Sequence, residues 1–124
     1  MLQDSEAIYF VATVDAPRAR AFYEGTLGLR LTADEYFALV FDLNGRMLRV
    51  AKAQEFTPSK HTVLGWKVDD IASKVGELQE RGVPFERFAG MAQDAQGIWT
   101  SPTGARVAWF RDPDGNALSL TQFR

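Results

Sequence analysis

Few side chains in this chain are equipped for chemistry, and they stand far apart. Arg49 sits in an otherwise apolar stretch, "MLRVA", where strand alternation puts Met47, Arg49 and Ala51 on one face and Leu48 and Val50 on the other. A guanidinium so placed can orient a carboxylate, phosphate or enolate through a forked pair of hydrogen bonds. The plainer alternatives are an ion pair with a nearby Asp or Glu, or a side chain reaching out to the rim. Lys67 alternates with Val63 and Gly65 and can join the same anion-binding face. Ser119 lies between Leu118 and Leu120, so a strand aims it away from their face, and Thr121 follows on its own side. A nucleophilic serine needs a neighbouring base, and the chain has a single histidine, His61. Hydrogen bonding to a ligand, or to backbone and water, is what remains for Ser119. Asp112, Asp114 and Asn116 have calcium-like spacing, but five residues around Pro113 and Gly115 make a turn rather than a coordination loop.

The three tryptophans read differently. Trp66 alternates with Leu64 and Val68 and is expected in the core under the helix that follows. Trp99 lies in "DAQGIWTSPTGA", a loop-rich region of the kind where binding residues concentrate, and an indole there suits a flat ligand. Trp109 precedes the Asp-Pro-Asp-Gly turn and can face either way. No paired carboxylates and no His-centred group support acid–base catalysis, so no catalytic residue is assigned.

Composition narrows the classes. The 124 residues are 46% hydrophobic and 24% charged, the profile of an ordinary globular domain. Fourteen basic against sixteen acidic residues leave a net charge of −2 with no basic block, which speaks against a nucleic-acid partner. The absence of cysteine excludes disulfides, thiolate metal sites and thiol nucleophiles, and fits a reducing compartment. No apolar run approaches the ~20 residues needed to span a bilayer, and "MLQDSEA" is no signal peptide. The expectation is a cytoplasmic protein without a membrane partner.

The elements that would position these residues occur twice. Residues 6–14 read as a buried strand, Asp15 and Pro17 open a helix with Ala19, Phe22 or Tyr23, and Leu27 on one face, and Gly28 stops it. Strands follow near 29–33, 36–42 and 46–52, with Asn44-Gly45 as a hairpin signal. After the tract "AQEFTPSK", strand 62–68 leads to Asp69-Asp70 and a helix carrying Ile71, Val75 and Leu78, closed by Gly82 and Pro84. Strands are expected again near 84–88, 105–111 and 116–122, with a short extended piece near 97–100. Val14-Asp15 and Val68-Asp69 are 54 positions apart, as are Gly28 and Gly82. Gly45 and Gly115 are 70 apart, so the second half carries an excursion within 89–104. The reading is one α+β domain, residues 1–124, of two βαβββ modules (6–53 and 62–124) joined by a linker, 54–61. With one helix per module, the economical arrangement is a curved mixed sheet around a cleft.

Three stretches, "DAPRARAFYEGTLGL", "GWKVDDIASKVGELQERGVPFE" and "VAWFRDPDGNALSL", together resemble the vicinal oxygen chelate superfamily. That group includes glyoxalase I, bleomycin-resistance proteins, fosfomycin-resistance enzymes and extradiol dioxygenases. The resemblance spans nearly the whole chain and implies paired βαβββ modules around a cleft. It also implies that metal-using members take ligands from the first and last strand of each module. The matching positions here are Ile8 or Tyr9, Arg49, Val63 and Ser119. None is a usual ligand, and a fixed positive charge at position 49 would repel a cation. The expectation is a metal-independent glyoxalase- or bleomycin-resistance-like protein without a cofactor. It would bind a small polar or anionic organic molecule in a cleft drawn from Tyr9, Arg49, Val63, Lys67, Trp99, Ser119 and Thr121, with no metal site. A metal-free enzyme of lyase or isomerase type, or a structural or regulatory domain with a filled cleft, are the alternatives. Related chains of this length commonly pair, as the resemblance implies, so a homodimer is expected.

Overall fold

A computed structural model describes residues 1–124, which divide into two compact units, Met1–Pro58 and Ser59–Arg124. The boundary falls inside the tract 54–61.

In the first unit, β1 (Ile8–Thr13) leads into α1 (Ala16–Arg20), and β2 (Arg30–Asp34), β3 (Ala38–Leu43) and β4 (Arg46–Lys52) follow. Asp15 caps α1 by accepting a hydrogen bond from the Arg18 amide at 3.2 Å. The helix then widens into a π-helical segment, Ala21–Thr26, with Leu27 N–H donating five residues back to Phe22. Gly28, at φ +74°, ends it in a conformation that suits glycine. The strands hydrogen-bond in the order β1-β4-β3-β2, with β1 and β4 parallel and the remaining pairs antiparallel. Asn44 (φ +50°) and Gly45 (φ +87°) make the β3–β4 hairpin, as that dipeptide predicts. Val11, Leu39, Phe41, Leu48 and Val50 are buried on one face, where Phe41 meets the buried Tyr23 ring of the helical segment at 5.8 Å.

The second unit repeats the plan. β5 (Leu64–Lys67) leads into α2 (Ile71–Glu80), followed by β6 (Trp99–Thr100), β7 (Arg106–Arg111) and β8 (Ala117–Gln122), in sheet order β5-β8-β7-β6. β5 and β8 are parallel, the others antiparallel. Asp70 caps α2 by accepting from the Ser73 amide at 3.2 Å, and the Ile71 amide donates to the Gln122 side chain at 3.0 Å. Ile71 and Val75 are buried with Leu64, Leu118, Leu120, Ala108 and Phe110. Trp66 stacks on Phe110 with ring centroids 6.4 Å apart, on this core side as its alternation implies. Replacing the cap, Asp70→Ala, is expected to lower stability by about 0.5–2 kcal/mol, read as a shift in urea midpoint. An unshifted midpoint would show that Gln122 alone secures the helix start.

The strands form two four-stranded mixed ladders, one for each βαβββ module, with β1 and β5 each at an edge. The structure departs from the sequence expectation in the stretch 84–88, which is not a strand. Pro84 has no N–H to offer a ladder, and the side chain of Gln93 takes up the local hydrogen bonding. Its amide donates to the carbonyls of Glu86 (2.9 Å) and Gly97 (2.8 Å) and accepts from the Phe88 amide (2.8 Å).

Candidate functional site: the helix-free face of the second sheet

Each sheet has one face covered by its own helix and one that is not. In the second unit, the register places the side chains of the uncovered face in rows across the strands. Lys67 lies beside Thr121, Thr121 beside Val107, and Val107 beside Trp99, one residue from each of the four strands. In the adjacent row Gly65 lies beside Ser119, and Ser119 beside Trp109. Val63, just ahead of β5, continues the same alternation and bonds through its amide to the Ala117 carbonyl at 2.9 Å. Five of the expected site residues, Val63, Lys67, Trp99, Ser119 and Thr121, therefore share one surface.

That surface has an aromatic floor. Trp109 meets Trp99 at 6.1 Å and Phe88 edge-on at 5.5 Å. Phe88 stands on the loop that Gln93 holds, and it was not among the residues expected from sequence. Beside Trp109 lies a depression of about 160 Å³, lined among others by Lys60, His61, Phe88 and Arg111. Its volume is close to the ~150 Å³ of an enclosed apolar cavity that takes one benzene ring, but this depression opens to solvent and carries polar side chains on its wall. Arg111 is already engaged, through Nε with Glu86 and through Nη1 with the Gly115 carbonyl at 2.9 Å. Lys60 and Lys67 take part in no ion pair of the chain.

Ser119 is only 7% exposed, and its hydroxyl makes no hydrogen bond within the protein. It has neither a base for nucleophilic activation nor a backbone group to cap.

The first unit places its expected residues differently. Arg49 is on the uncovered face, in register with Phe10 and Val40. Its Nη2 donates to Glu35 Oε1 at 2.8 Å, through a single nitrogen–oxygen contact. The chain itself supplies the carboxylate, so the guanidinium does not need an external anion to offset its desolvation. Lys52 makes the same kind of contact with Asp34 at 2.7 Å, and this hydrogen bond holds the exposed Asp34 carboxyl below the ordinary carboxylate range. The choice between Ile8 and Tyr9 is decided by register. Ile8 pairs with Met47 on the uncovered face, whereas Tyr9 pairs with the buried Leu48 on the helix side. Tyr9 is therefore corrected to a position facing away from Arg49.

The Asp-Pro-Asp-Gly-Asn turn uses its own polar groups. Asp112 Oδ1 accepts from the amides of Asp114 (3.0 Å) and Asn116 (2.9 Å), and Oδ2 accepts from Asn116 Nδ2 at 2.8 Å. The calcium-like spacing is thus a self-bound turn. Nowhere in the chain do three or more His, Cys, Asp or Glu residues gather as a metal site. At the positions matched to the superfamily's ligands stand an apolar side chain in Ile8, a paired guanidinium in Arg49, an apolar side chain in Val63 and one neutral hydroxyl in Ser119. These residues do not fit a divalent metal, which takes about three nitrogen, oxygen or thiolate donors.

A family model described as "Glyoxalase/Bleomycin resistance protein/Dioxygenase superfamily" matches residues 7–120, and the chain belongs to that superfamily. Solved structures agree on the fold. The chain is similar to a superfamily member from Sphaerobacter thermophilus (21% identity, TM-score 0.76, 99% of this chain and 100% of that one covered). It is also similar to a lactoylglutathione lyase from Agrobacterium tumefaciens (17% identity, TM-score 0.74, 96% and 93% covered). A further similar structure is an antibiotic binding protein, TnmS3, from Streptomyces sp. CB03234, at 26% identity and TM-score 0.73 over 100% of this chain and 99% of that one. Among curated proteins none matches the sequence.

Proposed function

We propose that the chain is a metal-independent binding protein for a small planar organic molecule bearing a polar or anionic group. The observation that carries this reading is the uncovered face of the second sheet, where Trp99, Trp109 and Phe88 adjoin the unpartnered Ser119 hydroxyl and the unpaired Lys67. A ring lies against the indoles, Lys67 attracts its anionic substituent, and Ser119 and Thr121 offer neutral hydrogen bonds beside it. The likeness to the Streptomyces antibiotic binding protein supports binding rather than turnover, and nothing on this face forms an acid–base pair for catalysis. Arg49 belongs to the first sheet and is paired with Glu35, and it is assigned no contact with the ligand.

Isothermal titration with 2-naphthoate and a panel of aromatic carboxylates tests this. Saturable one-to-one binding is expected, with Lys67→Met weakening it about fivefold, a modest loss because the charge is exposed and screened. Arg49→Met should leave affinity within about twofold. Absence of binding across the panel, or indifference to Lys67→Met, would overturn the reading.

Metal independence has its own test. Elemental analysis of tag-free protein is expected to show far less than one zinc, nickel or iron per chain, and chelator treatment should leave 2-naphthoate affinity unchanged. A stoichiometric metal near Arg49 would sink this part of the proposal.

The proposal extends to a two-fold homodimer. On the uncovered face of the first sheet, Ile8 (49% exposed), Phe10 (59%) and Met47 (41%) present apolar side chains to solvent, the kind of patch that marks an association surface. Light scattering should report about twice the chain mass of 13.8 kDa. A mass that stays at one chain across micromolar concentrations would refute it.

A further inference from the structure

We infer that Gly65 is a specificity-determining position of this chain, because the notch left by its missing side chain sets the direction of the Ser119 hydroxyl. The inference rests on the binding reading above for its consequence, but not for its geometry. The parallel β5–β8 register sets Gly65 directly beside Ser119. A Cβ built at position 65 would stand 2.7 Å from Ser119 Oγ, closer than real Cβ atoms approach. Gly65 is not among the residues with positive φ, so its backbone does not require glycine. Glycine inside a strand weakens it and commonly marks a close approach. Here the close approach is the hydroxyl.

Two further observations give the notch a role. Ser119 Oγ has no partner in the protein, and Ser119 keeps 7% exposure in the row it shares with Gly65 and Trp109. Trp109 flanks Ser119 on its other side. A molecule lying on the Trp109 indole thus meets, at its edge, one neutral group able to donate and accept. The ligand class that satisfies both is a planar aromatic with an oxygen substituent on the ring edge: a carbonyl, phenol or carboxylate oxygen. Any side chain at position 65 turns the hydroxyl aside and removes that contact.

The test compares Gly65→Ala, Ser119→Ala and the double variant. Side-chain NMR couplings of Ser119 are expected to report a changed χ1 rotamer in Gly65→Ala, with no ligand present. Affinity for 2-naphthoate should fall about fivefold in each single variant and no further in the double. Stability lost in Gly65→Ala should return in the double variant, where no hydroxyl is left to collide. An unchanged Ser119 rotamer overturns the inference, as do losses that multiply or wild-type affinity in Gly65→Ala. If 2-naphthoate and its congeners fail to bind the wild type, the binding reading falls and the specificity role falls with it, while the rotamer measurement still decides the Gly65–Ser119 geometry.

Discussion

Trp109→Leu is expected to weaken 2-naphthoate binding about tenfold while leaving the fold intact. The indole is the centre of the aromatic floor, in contact with Trp99 at 6.1 Å and Phe88 at 5.5 Å, and it borders the depression. Leucine keeps apolar bulk but removes the flat face and its quadrupole. Aromatic pairs contribute about 0.5–1.5 kcal/mol beyond the area they bury, and tenfold corresponds to about 1.4 kcal/mol. Titration calorimetry reads the affinity, and a urea titration checks that stability moves by no more than about 1.5 kcal/mol. Unchanged affinity would place the ligand elsewhere than on this face. A fall in affinity that merely tracks a collapse in stability would assign Trp109 to the core.

The neighbouring residue on the same strand should behave in the opposite way. Phe110 points to the helix side, is 1% exposed, and packs against Trp66 at 6.4 Å and Phe85 at 5.3 Å. Phe110→Ala removes a buried ring from a site hemmed in by two other aromatics and the strand ladder, where collapse around the cavity is limited. The expected loss is about 3–5 kcal/mol, a large share of the roughly 5–15 kcal/mol by which small domains are stable. The urea midpoint measures it. Phe110 also borders the depression, so under conditions where the variant is still folded its affinity for 2-naphthoate should fall by less than that of Trp109→Leu. A loss below about 1 kcal/mol would mean that the second helix does not depend on this ring. Adjacent aromatics with opposite phenotypes are what strand alternation requires when only one face is covered.

Much of this architecture is legible locally. Asp15 and Asp70 ahead of apolar helical periods, glycines at the helix ends, Asn44-Gly45 and the Asp-Pro-Asp-Gly-Asn turn each specify their own conformation through caps, positive φ or side-chain-to-backbone hydrogen bonds. Their recurrence in the same order, with Gly28 and Gly82 54 positions apart and Gly45 and Gly115 70 apart, exposes the two βαβββ modules and the excursion in the second. Alternation also determines that Lys67 shares a side with Gly65, and Ser119 with Thr121, before any contact is known. What it cannot determine is which side lies under the helix when both sides are apolar. Trp109 could have been core and Phe110 site, and only the packing of the second helix against Ala108 and Phe110 decides. Tyr9 and Ile8 pose the same problem, solved by register with Leu48 and Met47. Partners distant in sequence are likewise beyond local reading. Glu35 reaches Arg49 across 14 positions, and Gly65 meets Ser119 only because a parallel crossover brings β5 beside β8. The loop held by Gln93 replaces an expected strand because one side-chain amide outcompetes a ladder that Pro84 had already weakened. Short-range steric and capping preferences are written residue by residue in the chain. The direction of a side chain and the identity of its partner are settled only when the modules fold.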